Sequence, residues 1–244
     1  MFNTDEGSST FAELMDVKQY SSLEEASQKY QERRHDKDDT NEAIVLLGSG
    51  NSKMGEQLLV NSFQGPFLHI DVSSKVIQCM TLRYDKYLKE AAVPRMKFIV
   101  DDASEGLTSL EPESVGGGVV DKGLLDGLHC SLPNLNAESN LTSNHDMIQH
   151  IMTSVHRVLR PSRPFVFFSR SSPEFMLRRA FGDDSDADYN RKQWTDISVV
   201  KLIDLDVMLY RFVKAEEKED SADNSASLHV TTRGFRNKKK HKRR

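Results

Sequence analysis

The chain is poor in the residues that would make it a secreted, membrane or metal protein. It has only two cysteines, Cys79 and Cys130, in 244 residues. They fall in stretches that read as a helix and as a loop after a strand, without metal-ligand spacing, so they are expected to be thiols in a reducing compartment. No apolar run approaches the roughly 20 residues needed to cross a bilayer. The first residues also lack a basic and then apolar leader. His145, His150 and His156 are spaced so that they do not share one helical face, which disfavours a metal site. These absences predict a soluble cytoplasmic protein with no metal and no membrane contact. The charge is uneven. The formal net charge is −4, yet the last 12 residues hold 8 Lys and Arg, which leaves −12 on the rest. An acidic body does not bind nucleic acid through its folded surface. The basic run K-K-K-H-K-R-R is expected either to solubilise or to contact nucleic acid or an import receptor, which keeps the nucleus open as a location.

What is present is a strand that ends in a glycine turn. Ile44 to Ser52 reads I-V-L-L-G-S-G-N-S. The apolar run has the length and branching of a strand buried on both faces. Gly48 and Gly50 suit the turn, and Asn51 or Ser52 can cap a helix carrying Met54, Leu58 and Leu59. Such junctions also occur as plain tight turns. The next strand, Pro66 to Asp71, ends in an acid 21 residues after Gly50. An acid at that strand tip is placed to hold a ribose diol, so Asp71 is the first candidate ligand residue.

The rest of the chain alternates in the same way. A helix from Ser73 or Ser74 to Glu90 precedes a strand at Met96–Val100, followed by Asp101 and Asp102. Adjacent acids also make solvated turns, but Asp102 is placed to accept from an adenine amino group. Gly116 to Gly118 are poor strand residues, yet Val119 and Val120 lead into Asp121, Lys122 and Gly123 as a further strand and turn. That puts Asp121 and Lys122 at the carboxyl edge, where open α/β sheets bind ligands. Ser131 to Asn144 reads as an irregular loop or lid, His145 to Arg160 as a helix, and Pro164 to Ser169 as a strand. Ser172-Pro173-Glu174 starts a helix that stops at Gly182. Thr195–Ile203 and Asp206–Val213 read as a hairpin at an antiparallel edge.

One domain is expected at 42–213, an α/β Rossmann-like, seven-stranded, mostly parallel sheet with helices on both faces and a C-terminal antiparallel hairpin. Residues 1–41 read as an extension with one helix, Leu23 to Arg34. Residues 214–244 read as a disordered tail, acidic and then basic.

Five strand–helix alternations followed by a hairpin resemble the class I S-adenosylmethionine-dependent methyltransferases. Four motifs narrow the resemblance: G-S-G-N-S at Gly48–Ser52, H-I-D at His69–Asp71, D-K-G-L-L-D at Asp121–Asp126 and V-H-R-V-L-R-P at Val155–Pro161. They are similar to a subgroup that includes the lysine methyltransferases of elongation factor 1-alpha and citrate synthase. The resemblance implies S-adenosyl-L-methionine as cofactor and a protein side chain, lysine favoured, as acceptor. It further implies that Gly48, Ser49, Gly50 and Asn51 hug the methionine part and that Asp71 holds the ribose hydroxyls. Asp102 and Ala103 would frame the adenine, and Asp121 and Lys122 would line the methionine end. Asp121 or Asp126 would orient or deprotonate the acceptor. The turn continues N-S-K-M-G, which departs from a dinucleotide fingerprint and disfavours a dehydrogenase. The Y-W segment of the lysine-modifying members has no counterpart at Tyr30-Gln31. The alternative is therefore a catalytically idle methyltransferase-like scaffold.

Overall fold

The computed structural model describes residues 42–61, 66–90, 96–130, 138–182, 190–216 and 227–233. The expected N-terminal helix, Leu23 to Arg34, lies outside them, as does the basic run after residue 233. The sheet is built from β1 (Ile44–Leu47), β2 (Phe67–Asp71), β3 (Met96–Val100), β4 (Gly118–Asp121), β5 (Pro164–Ser169), β6 (Trp194–Leu202), β7 (Val207–Lys214) and β8 (Ser227–Arg233). Its order is β3-β2-β1-β4-β5-β7-β6-β8. The first five strands in this order are parallel, and β7 is antiparallel to both β5 and β6. This is the expected Rossmann-like sheet with its terminal hairpin. Strand order reverses between β1 and β4, so a crevice opens at their carboxyl ends.

β1 is central because its side chains serve both faces. Val45 and Leu47 join Val119, Phe165, Phe167 and Tyr210 in one core, covered by α3 (Leu124–Cys130), α4 (Glu138–Val158) and α5 (Pro173–Phe181). Leu46 joins Phe67, Val120 and the residues of α1 (Met54–Val60) and α2 (Ser74–Glu90) in the other. The first core is rich in rings: Phe167 stacks on Tyr210 with centroids 4.5 Å apart, and Trp194 meets Phe212 edge-on at 5.6 Å. On the second face the Tyr84 hydroxyl donates to Glu56 at 2.8 Å and ties α2 to α1.

The glycine run before β4 has a steric reason. A Cβ on Gly117 would lie 2.5 Å from the Glu42 carbonyl oxygen, so the chain enters the sheet here only because no side chain is present.

Three expectations change. The stretch from 138 to 144 is not loop: α4 starts at Glu138, and only 131–137 lie outside the described residues. Its Asn, Ser and Thr content hid a helix whose apolar face begins later, at Met147 and Ile148. The hairpin is not the sheet edge, since β8 pairs in parallel with β6 from Asp196↔Ser227 to Leu202↔Arg233. Residues 227–233 are therefore a strand within the stretch read as tail. The β-branched Val230, Thr231 and Thr232 favour a strand, and the pairing is with a distant segment. Leu202 pairs Val207 and Ser169 pairs Met208, so β8 ends at the same sheet edge as β5.

Arg157 fixes the loop after β3. Its guanidinium donates to the carbonyls of Gly106, Leu107 and Leu110 at 2.7 to 3.3 Å. Lys214 is buried and donates to Glu113 and to the Leu159 carbonyl at 2.9 and 2.8 Å. Among the described residues no helix is long and apolar enough to cross a membrane.

Candidate functional site

The turn after β1 is bound into the sheet rather than left as a loose loop. Gly48 and Gly50 take left-handed backbones, φ +56° and +54°. The Ser49 N–H donates to the Ile70 carbonyl at 3.1 Å, and the Gly50 N–H donates to the Asp71 carboxylate at 2.9 Å. The other Asp71 oxygen accepts from Ser73 N–H at 2.9 Å. Thus the acid at the tip of β2 sets the shape of the turn after β1. Each carboxylate oxygen has a second lone pair, so Asp71 retains capacity to accept from a diol.

Ser52, not Asn51, meets the helix start: its Oγ accepts from Met54 N–H at 3.2 Å. α1 has only 7 residues, so its dipole adds little. The recognition capacity lies instead in the turn and in the cavity beside it.

That cavity has a volume of about 310 Å³. The Gly48–Ser52 turn forms one wall, Leu46, Met54 and Val120 form apolar sides, and His69 and Lys122 add polar groups. Two of the lining side chains are buried without satisfaction. Ser49 is 8% exposed and His69 1%, and neither the Ser49 hydroxyl nor either ring nitrogen of His69 has a hydrogen-bond partner among the described residues. Orphaned buried polar atoms are uncommon and cost about 1–3 kcal/mol each, so three around one cavity mark a place for a polar ligand. Burial lowers the His69 pKa to about 4, which keeps the ring neutral near pH 7. Burial also lowers the pKa of Lys122.

The sequence reading missed His69. The available signal was a histidine in a strand otherwise apolar, paired in register with Leu46 and Phe98, two positions before the predicted ligand acid.

The remaining candidates divide. Gly48, Ser49, Gly50, Asn51 and Lys122 all line the cavity, and Asp71 closes the turn behind it. Asp102 and Ala103 stand one strand further along the same edge and do not line it. One Asp102 oxygen accepts from the Ser104 N–H and hydroxyl at 2.8 and 2.7 Å and caps a short 3₁₀ turn, while Ala103 is buried. Asp101 is built into the same loop through Ser109.

Asp121 does not line the cavity. It has no exposed surface, and its carboxylate accepts from the N–H groups of Gly123, Leu124 and Leu125 at 2.7, 2.6 and 2.9 Å. Alternation along β4 sends it to the α3 side, opposite Val120, so it caps α3 and faces away from the cavity. Burial raises its pKa to about 6 against the pull of the three N–H groups, and the nearby Asp126 charge adds to the rise. Asp126 also lies off the cavity. One of its oxygens accepts from the Ser169 hydroxyl at 2.6 Å and Arg170 N–H at 3.1 Å, which ties α3 to the carboxyl end of β5. Tyr210 closes this tie by donating to the Ser171 carbonyl at 3.0 Å.

Among the described residues no group of three or more His, Cys, Asp or Glu could hold a metal. His150 is exposed, and His156 packs edge-on against Trp194 at 5.4 Å. Cys79 is free and exposed.

No family model matches the chain, and no curated protein matches it. Solved structures with a similar chain path include an arsenic(III) S-adenosylmethionine methyltransferase from Chlamydomonas reinhardtii. It matches 83% of this chain and 77% of its own at 12% identity, with a TM-score of 0.47. A TehB-like SAM-dependent methyltransferase from Corynebacterium glutamicum matches 79% and 97% at 15% identity and a TM-score of 0.46. A predicted O-methyltransferase from Agrobacterium tumefaciens matches 81% and 80% at 13% identity and a TM-score of 0.47. Identities this low select no acceptor for this chain.

Proposed function

We propose that this chain is an S-adenosylmethionine-dependent methyltransferase whose acceptor is a protein side chain, lysine being favoured by the sequence motifs. The observation that carries the cofactor assignment is the cavity at the strand-order reversal. It is walled by a left-handed glycine turn that the β2 acid holds in place, and it contains polar atoms awaiting partners. Open α/β sheets take nucleotide-like ligands at this position. The donor set at the cavity fits the group: backbone and hydroxyl groups from Gly48 to Asn51, a cation at Lys122 and the Asp71 carboxylate behind the turn for a diol, while Asp102 and Ala103, off the cavity, would meet only the far end of the base.

When bound, the cofactor supplies an electrophilic methyl on a sulfonium that carries its own leaving group. The protein then works by alignment, holding an acceptor nitrogen in line with the methyl in a site without bulk water. Neither Asp121 nor Asp126 lines the cavity, so neither carries the acceptor's proton in this reading. That same observation favours a second reading, an idle cofactor-binding scaffold.

The test is calorimetric titration with S-adenosylmethionine and S-adenosylhomocysteine beside Asp71→Ala. Wild type is expected to bind both, and the variant to lose about 10- to 100-fold, the worth of one or two hydrogen bonds to a charged group. Failure of the wild type to bind either would sink the reading. Labelled methyl transfer to proteins of a cell extract separates enzyme from scaffold.

We also infer that the basic run following β8 contacts nucleic acid or an import receptor. Its dense positive charge supports this, and β8 releases it at the ligand-bearing edge of the sheet.

A further inference from the structure

The two halves of the glycine turn are held by different parts of the fold. The inner half is tied to β2, since the Ser49 N–H meets the Ile70 carbonyl and the Gly50 N–H meets Asp71. The outer half, Asn51 and Ser52, leaves the sheet and forms a rim of the cavity before α1 begins at Met54. What reaches this rim from a distance is α2, none of whose described residues lines the cavity. Arg83 of α2, 32 residues along the chain, donates from Nη1 to the Asn51 carbonyl at 3.1 Å. The next residue, Tyr84, is buried and donates to Glu56 in the first turn of α1. Consecutive residues of one helix thus hold the two ends of a segment that walls the cavity, Arg83 at the surface and Tyr84 beneath it.

We propose, resting on the methyltransferase reading, that Arg83 is a positioning residue for the cofactor: its bond to Asn51 keeps the rim in the shape the ligand meets, and its release lets the rim open. A guanidinium carries five donors in a fixed fork, so one corner can hold a carbonyl while the rest stays in water. A bond at an exposed position adds little to global stability. Its effect falls on a local equilibrium. Without it the rim spends part of its time in other shapes, and the apparent affinity drops with the fraction that remains competent. The inner half does not respond in this way, because β2 fixes it. Arg83 therefore acts through Asn51 and needs no contact with the ligand.

The experiment is calorimetry and stopped-flow dissociation of S-adenosylhomocysteine on wild type, Arg83→Ala, Arg83→Lys and Tyr84→Phe, with thermal unfolding of each protein without ligand. For Arg83→Ala we expect an affinity loss of about three- to tenfold, the worth of one exposed hydrogen bond, carried by faster dissociation. Its unfolding midpoint is expected within about 3 °C of wild type. Arg83→Lys keeps a cationic donor and is expected to recover part of the loss. The loss should be the same at low and high salt, because the acceptor is a neutral carbonyl. Tyr84→Phe removes the tie that does not reach the rim, and is expected to lower the midpoint while affinity per folded molecule stays within about twofold. Unchanged affinity in Arg83→Ala overturns the proposal and leaves the methyltransferase reading intact. A loss that salt abolishes overturns it as well, because Arg83 then meets the ligand's charge directly. So does an equal loss in Tyr84→Phe, which traces the effect to the seating of α2 as a whole. A wild type that does not bind overturns both.

Discussion

The junction after β1 and the junction after β4 share one pattern, an apolar strand, a turn with glycine and a short helix, yet they dispose of their polar groups in opposite ways. After β4 the strand's own last residue, Asp121, turns inward and takes three N–H groups of the turn and helix. After β1 the last strand residue is Leu47, and the acid comes from the neighbouring strand, where Asp71 holds only Gly50 of the turn. The Ser49 hydroxyl is left facing a cavity. The first arrangement is closed and serves stability; the second leaves polar groups open to a cavity. An aspartate beside a glycine turn is therefore not a ligand residue by position alone, because the side of the strand it occupies decides what it can reach.

The largest effect expected from breaking this contrast is at the closed junction. Asp121→Ala leaves three N–H groups of the turn and helix without this acceptor and is expected to cost about 3 kcal/mol in chemical denaturation, with little change in ligand affinity per folded molecule. The pH dependence sharpens the point. Burial raises the Asp121 pKa from 3.8 to about 6 in the folded chain. Between those values the folded state holds more protons than the unfolded one. The contribution of Asp121 to stability therefore declines as pH rises through about 4 to 6 and is level above. Asp121→Asn should flatten that decline in unfolding curves measured across the window. A decline that survives the substitution would place the titrating group elsewhere.

A smaller effect is expected at the contact between the junctions. A Cβ on Gly48 would lie 2.7 Å from the Leu124 Cβ, and Gly48 already has φ +56°. Gly48→Ala therefore adds left-handed strain to a clash between the open turn and the closed helix. A loss of about 2 kcal/mol is expected together with weaker S-adenosylhomocysteine binding, read by denaturation and calorimetry. Loss of stability alone would mean that the turn and the cavity are less coupled than their shared wall implies.

Much of this was legible in the chain. The I-V-L-L-G-S-G-N-S run, the acid ending β2 and the Ser172-Pro173-Glu174 helix start are local signals, and the structure places each as read, with Ser172 Oγ accepting from Phe175 N–H at 3.4 Å. What escaped the reading is non-local. β8 depends on pairing with β6 across the chain, and α4 begins in polar residues whose helix is continued from its apolar end. His69 sat inside a recognised motif, but its missing partners appear only when β2, β3 and α1 are packed together. Asp126 reads as a candidate base because a lysine acceptor, as the resemblance implies, must lose a proton to a nearby carboxylate. Its tie to Ser169 needs β5 in place.

The smallest effect on either junction is expected from the basic run. β8 ends at Arg233 on the sheet edge that carries the site, and residues 234–244 hold seven further Lys and Arg. Strands in the order β4-β5-β7-β6-β8 stand about 4.8 Å apart, so roughly 19 Å separates β4 from β8, while 11 extended residues reach up to about 36 Å. The run is long enough to span that distance. Deleting Gly234 to Arg244 should therefore leave S-adenosylhomocysteine affinity within about twofold and the unfolding midpoint unchanged, while RNA retention and its salt dependence fall. If cofactor affinity falls equally, the run belongs to the site itself, and the separation between an acidic folded body and a basic appendage has to be abandoned.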